Sequence, residues 1–317
     1  MKLQTQIPFQ KQDKNQLIDY HSNVFLLGSC FAEHIGEKLQ YHKLKSLCNP
    51  FGILFHPLAI RNVIFNSASE KVFSGEDIFF QNEQWSSFEA HSKLNSIDKR
   101  EILDNLNEQS QLTFKYLKES SHIIITLGTA WVYRYLKSNA VVANCHKVPQ
   151  KEFSKELLTV EHLVGLLKEI LDLIRNHNPK CAIIMTVSPV RHLKDGFVEN
   201  TRSKAHLISA IHQVLENSEN CFYFPSYELI MDELRDYRFY NEDMLHPNAV
   251  AINYVWEKFQ EVWFTDEAVS FSKRIDAVQK SLVHKPFNSE TVAHKVFLEK
   301  LEKEKNTIKA SFPHISF

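Results

Sequence analysis

At 317 residues with 44% hydrophobic positions, the chain can bury a full core, which favours one large domain with insertions. Lys and Arg total 37 against 38 Asp and Glu, a formal charge of -1, so no strong basic field draws nucleic acid or anionic lipid, and neither is expected as a partner. The cysteines Cys30, Cys48, Cys145, Cys181 and Cys221 are odd in number and form no C-x-x-C pair, which argues against a disulfide framework or a zinc ribbon.

In chain order, the opening MKLQTQIPFQKQDKNQ holds no apolar stretch of signal-peptide length, and no later run reaches the ~20 residues of a membrane span. A cytoplasmic location is the expectation. The first structural signal is the apolar run Asn23–Gly28, which ends at Gly28-Ser29-Cys30-Phe31-Ala32 and opens a pattern with Phe31, Ile35 and Leu39 on one helical face. It predicts a strand, a turn and a helix, with a hydroxyl and a thiol at the corner. Such a corner lies at the carboxyl end of a strand, where open α/β sheets collect ligands, beside the positive end of a helix dipole.

Residues 70–95, with Phe73, Ile78, Phe79, Phe80, Trp85 and Phe88, read as short extended segments. Leu103, Leu106, Phe114 and Leu117 then recur at helical spacing before a strand over His122–Gly128. Residues 131–146 read as a hairpin turning near Ser138-Asn139. A helix through Leu163, Leu167, Ile170 and Ile174 leads to a strand over Cys181–Ser188, and a helix through Leu207, Ile211 and Leu215 to a strand over Cys221–Pro225. The last core helix, with Ile252, Trp256, Phe259 and Trp263, follows the loop Asp243–Asn248, and Pro247 suits its start. This alternation predicts an α/β domain with a mainly parallel sheet over residues 1–265, the two extended insertions overhanging a cleft. Residues 266–317, ending in EKLEKEKNTIK, form a charged helical extension that packs on the core or on a partner, which leaves self-association open.

The corner has a companion in Asp243 and His246, whose i, i+3 spacing lets a carboxylate orient an imidazole that takes a nucleophile's proton. Taken singly, these residues have ordinary readings: Ser29 as a helix N-cap, Cys30 as a small buried hydrophobe, and Asp243 and His246 as a loop hydrogen bond. The sixteen histidines show no H-x-x-x-H spacing, so no metal is expected, and no cofactor motif appears.

The segment LLGSCFAEHIGEKL resembles the signature of the GSCFA proteins, relatives of the SGNH, or GDSL-like, hydrolases. NPFGILFHP, WSSFEAHS, ITLGTAWVY, TVSPVRHL, FPSYELIMDELRDYRFY and DMLHPN extend the likeness over Ser22 to Phe264. The resemblance implies a flavodoxin-like three-layer α/β/α sandwich and an ester or acyl hydrolase working through a covalent acyl intermediate. Aligning Gly28 with the glycine of the superfamily's Gly-Asp-Ser block puts Cys30 on the nucleophile, with Ser29 as the second candidate. Asp243 and His246 fit the closing Asp-x-x-His block, His246 as base and Asp243 as its orienter. The amides of Cys30 and Gly52 are the implied oxyanion hole.

The third block, Gly-x-Asn, is met only by Gly128, with Thr129 and Ala130 following, so an oxyanion donor is missing unless Thr129, the Trp131 indole or a side chain from elsewhere replaces it. Losing such a donor typically costs about 3 to 4 kcal/mol of transition-state stabilisation. Trp85, His91, Trp131, Ser188, Arg191, His192 and Lys204 are candidates for contact with a small-molecule or carbohydrate acyl ester. A thiol nucleophile equally suits thioester hydrolysis or acyl transfer, and the missing asparagine is compatible with a binding module that no longer turns over.

Overall fold

The computed structural model describes residues 4–289 and 291–317. In chain order the strands are β1 (Asn23–Gly28), β2 (Lys45–Cys48), β3 (Phe79–Gln81), β4 (Gln84–Ser86), β5 (His122–Leu127), β6 (Trp131–Tyr135), β7 (Ala140–Val142), β8 (Phe153–Leu157), β9 (Ala182–Val187) and β10 (Cys221–Tyr223). The helices are α1 (Cys30–Tyr41), α2 (Pro57–Ala68), α3 (Lys99–Glu119), α4 (Val160–His177), α5 (Phe197–Leu215), α6 (Ser226–Glu228), α7 (Ala249–Trp263), α8 (Asp266–Leu282) and α9 (Val292–Ser311).

The central sheet has the order β10-β9-β5-β1-β2, and every pairing in it is parallel. Counted by its own members, that is the doubly wound order 2-1-3-4-5, which reverses direction between β1 and β5 and opens a crevice at their carboxyl ends. Alternate residues of β1 feed opposite cores. Phe25 and Leu27 pack with α2, α3, α4 and α5, whereas Val24 and Leu26 pack with α1 and α7. Both faces are therefore covered, and the sandwich has three layers, as the resemblance implied.

The four anticipated strands lie at β1, β5, β9 and β10. Two elements of the doubly wound core had no counterpart among the expected elements. The edge strand β2, Lys-Ser-Leu-Cys, is only half-buried and carries no apolar run, and α2 follows so closely on the NPFGILFHP segment that its stripe does not stand apart. In the first insertion, β3 and β4 form a two-residue hairpin because Asn82 and Glu83 both take positive φ, 50° and 61°. The second insertion has three strands: β8 pairs with β6 on the side opposite β7. Pro247 stands two residues before α7, just ahead of the N-cap Asn248, whose side chain accepts from the amides of Val250 and Ala251.

The charged extension packs on the layer formed by α1 and α7. Phe271, Ile275 and Val278 of α8, with Leu301 and Ile308 of α9, join that core, and Tyr20 meets Phe271 edge-on at 4.5 Å. No helix among the described residues is long and apolar enough to cross a membrane.

One contact fixes where β1 ends. Gly28 has φ +139°, and a Cβ there would lie 2.1 Å from the Thr126 carbonyl oxygen on β5. The Gly28→Ala chain is therefore expected to lose about 3 kcal/mol or more of stability, read as a lowered urea midpoint at unchanged slope. A midpoint equal to that of the wild type would contradict the close approach.

Candidate active site

At the end of β1 the chain turns through Ser29 into α1. Ser29 is 0% exposed and caps the helix, its Oγ accepting from the Phe31 amide at 3.3 Å and its carbonyl from Ala32 at 2.8 Å. That commitment turns the hydroxyl into the helix start. Cys30, the first residue of α1, instead lines a cavity of ≈630 Å³ at the carboxyl end of the sheet. Burial pushes the Cys30 thiol up, and the Lys204 charge is the largest influence drawing it back. Glu33 adds to the upward push, whereas the Cys30 and Phe31 amides favour the thiolate.

His246 lines the same cavity from the loop before α7. Asp243 organises that loop: its Oδ1 accepts from the amides of Leu245 at 2.8 Å and His246 at 3.0 Å, and its Oδ2 lies 2.6 Å from His246 Nδ1. These amides and the imidazole hold the Asp243 carboxyl down at about 2. Met244 takes φ +57° so that the turn can close, a left-handed conformation that costs a non-glycine residue about 1 kcal/mol. Arg191 braces the loop. Its amide donates to the Leu245 carbonyl at 3.2 Å, and its guanidinium stacks 4.4 Å from the Tyr240 ring and 5.1 Å from that of Tyr237.

The opposite wall comes from the second insertion, with Trp131, Tyr133, Val142 and Phe153, and from Phe55 and His56 ahead of α2. The imidazole of His56 caps α2, Nδ1 accepting from Ala59 at 3.1 Å, and its Nε2 donates to the Val142 carbonyl at 3.1 Å. One side chain therefore ties the hairpin to the helix.

Of the expected oxyanion amides, those of Gly52, Gly128 and Thr129 are engaged elsewhere in the fold. The Gly52 amide donates to Asn49 at 2.8 Å, and the residue packs against His91 rather than the cavity. Gly128 and Thr129 both donate their amides to the Phe55 carbonyl at 2.9 Å. The Thr129 hydroxyl shares a hydrogen bond with Ser203 at 3.0 Å and accepts from the Trp131 amide, while the Trp131 indole donates to the Glu199 carbonyl at 3.3 Å. His192 differs from them: its Nε2 is buried without a partner among the described residues, 3.3 Å from where a Cβ on Gly128 would lie. Burial, with the charges of Lys204 and His246, holds that imidazole neutral by pulling it down to about 3.

Of the expected contact residues, Trp131, Arg191 and His192 line the cavity. Trp85 and His91 do not: the Trp85 ring carries the Lys99 ammonium at 5.0 Å, and His91 caps the 3-10 turn Ser92–Leu94. Ser188 and Lys204 lie beneath the floor, 0% and 1% exposed. Phe55, His56 and Tyr133 line the cavity without having been singled out, although the NPFGILFHP segment already contained Phe55 and His56. A second concavity, ≈690 Å³, opens among Gln16, Ser121, His122 and Asn178 at the amino ends of the strands, away from Cys30 and His246. Among the described residues no group of three or more His, Cys, Asp or Glu side chains is placed to hold a metal ion.

His56 gives the site a pH dependence. Burial lowers it from 6.5 to about 4, so between those values the unfolded chain takes up a proton that the folded chain refuses. Stability from this group is intact above pH 6.5 and falls by about 3 kcal/mol as the pH drops to 4. His56→Asn keeps an acceptor for the Ala59 amide and cannot titrate, so its urea midpoint should fall less steeply across that window. An unchanged slope would show that His56 is not held neutral.

No curated relative matches the sequence. Among solved structures, the chain is similar to an acetyl xylan esterase from the rumen bacterium Butyrivibrio proteoclasticus, with 12% identity and a TM-score of 0.40, covering 84% of this chain and 66%, just under two thirds, of that one. It is similar to a carbohydrate esterase family 3 structure from Talaromyces cellulolyticus, with 8% identity, a TM-score of 0.37 and coverage of 80% and 98%. An acetyl esterase mutant with acetate ion has 9% identity, a TM-score of 0.37 and coverage of 80% and 99%. The sequence matches the GSCFA family model over residues 23–259 and the model of the GSCFA domain protein, C-terminal domain, over residues 275–317, so the chain belongs to the GSCFA family.

Proposed function

We propose that the protein is an ester hydrolase of the SGNH type that uses the Cys30 thiol as its nucleophile. The observation that carries this reading is that Cys30, at the amino terminus of α1, and His246, oriented by Asp243, line one cavity at the point where the sheet reverses its winding. The thiol passes its proton to His246 as Sγ bonds to the ester carbonyl carbon and the carbonyl electron pair moves onto oxygen. Collapse of that oxyanion breaks the carbon–oxygen bond, and His246 returns the proton to the leaving alkoxide. Water then gives His246 a proton as it attacks the acyl thioester, and the departing thiolate recovers that proton. Asp243 keeps the imidazole oriented and stabilises its charged form.

The wall formed by Trp131 and Tyr133 favours a carbohydrate or aromatic alcohol, because sugar and aromatic faces stack on such rings. A second reading, acyl transfer, draws support from the lining thiol: the intermediate is a reactive thioester that an alcohol can capture as readily as water does.

The test uses p-nitrophenyl acetate and acetylated xylose. Wild type is expected to release nitrophenol and to carry a transient acetyl group on Cys30, seen by mass spectrometry. Cys30→Ala should abolish both, and His246→Ala should lower kcat/KM about 10²- to 10⁴-fold. Ser29→Ala should leave the chemistry in place and lower stability by about 1 kcal/mol through the lost cap. Turnover surviving Cys30→Ala and His246→Ala would overturn the scheme, and a wild type that binds but never acylates would make the protein a binding module.

A further inference from the structure

Among the described residues, Lys204 is a buried cation without a carboxylate partner. It is 1% exposed inside α5, and its Nζ donates to the Gly128 carbonyl at 2.6 Å and to that of Ser188 at 2.7 Å, just beyond the ends of β5 and β9. An ammonium has three N–H donors, of which these carbonyls take two, and the Tyr227 ring lies 6.0 Å from Nζ. A charge in such a place is costly unless an anion answers it. Gly128, whose carbonyl holds Nζ, lies against the turn that carries Cys30, since a Cβ on it would fall 3.3 Å from the Ser29 Cβ, and the charges of Lys204 and Cys30 each favour the ionised form of the other. Burial draws Lys204 down to about 7, and the Cys30 charge works against that fall.

We propose that Lys204 is a positioning residue whose ammonium group, anchored on the Gly128 and Ser188 carbonyls, is the counter-charge against which the Cys30 thiolate forms. The two groups ionise as a pair, and the sulfur held opposite the ammonium keeps its place above the end of β5. The other groups around the sulfur cannot substitute for it. Glu33, on α1, opposes the thiolate, and His192, from the loop after β9, is held neutral. His246 lines the cavity as the proton carrier and Arg191 is stacked on Tyr237 and Tyr240.

The inference rests on the esterase reading for its purpose, but the pairing is measured without an ester. Iodoacetamide is the probe, and the alkylation of each cysteine is followed against pH by peptide mass spectrometry. Cys145 lines the same cavity and is pushed up to about 11 by burial alone, so it serves as the internal reference. In wild type, Cys30 is expected to titrate below Cys145. Lys204→Met should raise the Cys30 midpoint by about one unit or more, slowing its alkylation near neutral pH about tenfold, and leave Cys145 unchanged.

Coincident wild-type midpoints would overturn the proposal, and this arm needs no variant to fold. So would an unchanged Cys30 in Lys204→Met, or parallel changes at Cys30 and Cys145, which mark a deformed cavity rather than a lost charge. A shifted Cys30 midpoint with no acetyl-enzyme from p-nitrophenyl acetate would sink the esterase reading and uphold the pair. An acetyl-enzyme with no shift would do the reverse.

Discussion

The site depends on how closely β1 approaches β5 at their carboxyl ends. Gly28 lies against the Thr126 carbonyl with no room for a side chain, and the Ser29 amide donates to that same oxygen at 3.0 Å. The turn into α1 is thereby fixed to the strand across the crevice rather than left to loop geometry. From that anchor follow the burial of the Ser29 hydroxyl as a cap and the presentation of Cys30 to the cavity. A thiol at the first helical position, with amides behind it, is favoured as an anion by the helix's own dipole.

A second constraint acts on the other side of the crevice. The Phe55 carbonyl accepts from both Gly128 and Thr129, tying the end of β5 to the segment that enters α2. This makes the floor of the cavity firm and removes two amides from any role toward substrate. The unpartnered imidazole nitrogen of His192 stands over the same glycine. Rigidity and hydrogen-bonding capacity are thus divided between neighbouring residues of one floor.

The fold was largely legible because its central strands are buried on both faces and read as unbroken apolar runs, and because α1, α3, α4 and α5 carry stripes at helical spacing. The edge strand β2 escaped since exposure on one side relaxes its composition, and β8, Phe-Ser-Lys-Glu-Leu, reads as polar until its pairing with β6 is known. The Ser29 cap and the pairing of Asp243 with His246 were readable from residue type and spacing, whereas the missing asparagine beside Gly128 showed only against the family pattern. What local sequence lacked was direction. Trp85 and His91 do not line the cavity, being taken up by Lys99 and by the 3-10 turn Ser92–Leu94, and Lys204, an ordinary helical lysine by sequence, proves to be enclosed beneath the cavity floor.

The far end of α1 carries a further consequence. Tyr41 donates its hydroxyl to Asp276 at 3.0 Å, its carbonyl accepts from Gln279 at 3.0 Å, and the His42 ring meets the Ser272 carbonyl at 3.2 Å, all three partners on α8. A 12-residue helix is a stiff rod of roughly 18 Å, so what clamps one end sets the axial position of the other. The carboxy-terminal helices thus act as a backstop for Cys30. A molecule that pried α8 from α1 would detune Cys30 from a distance, without ever entering the cavity.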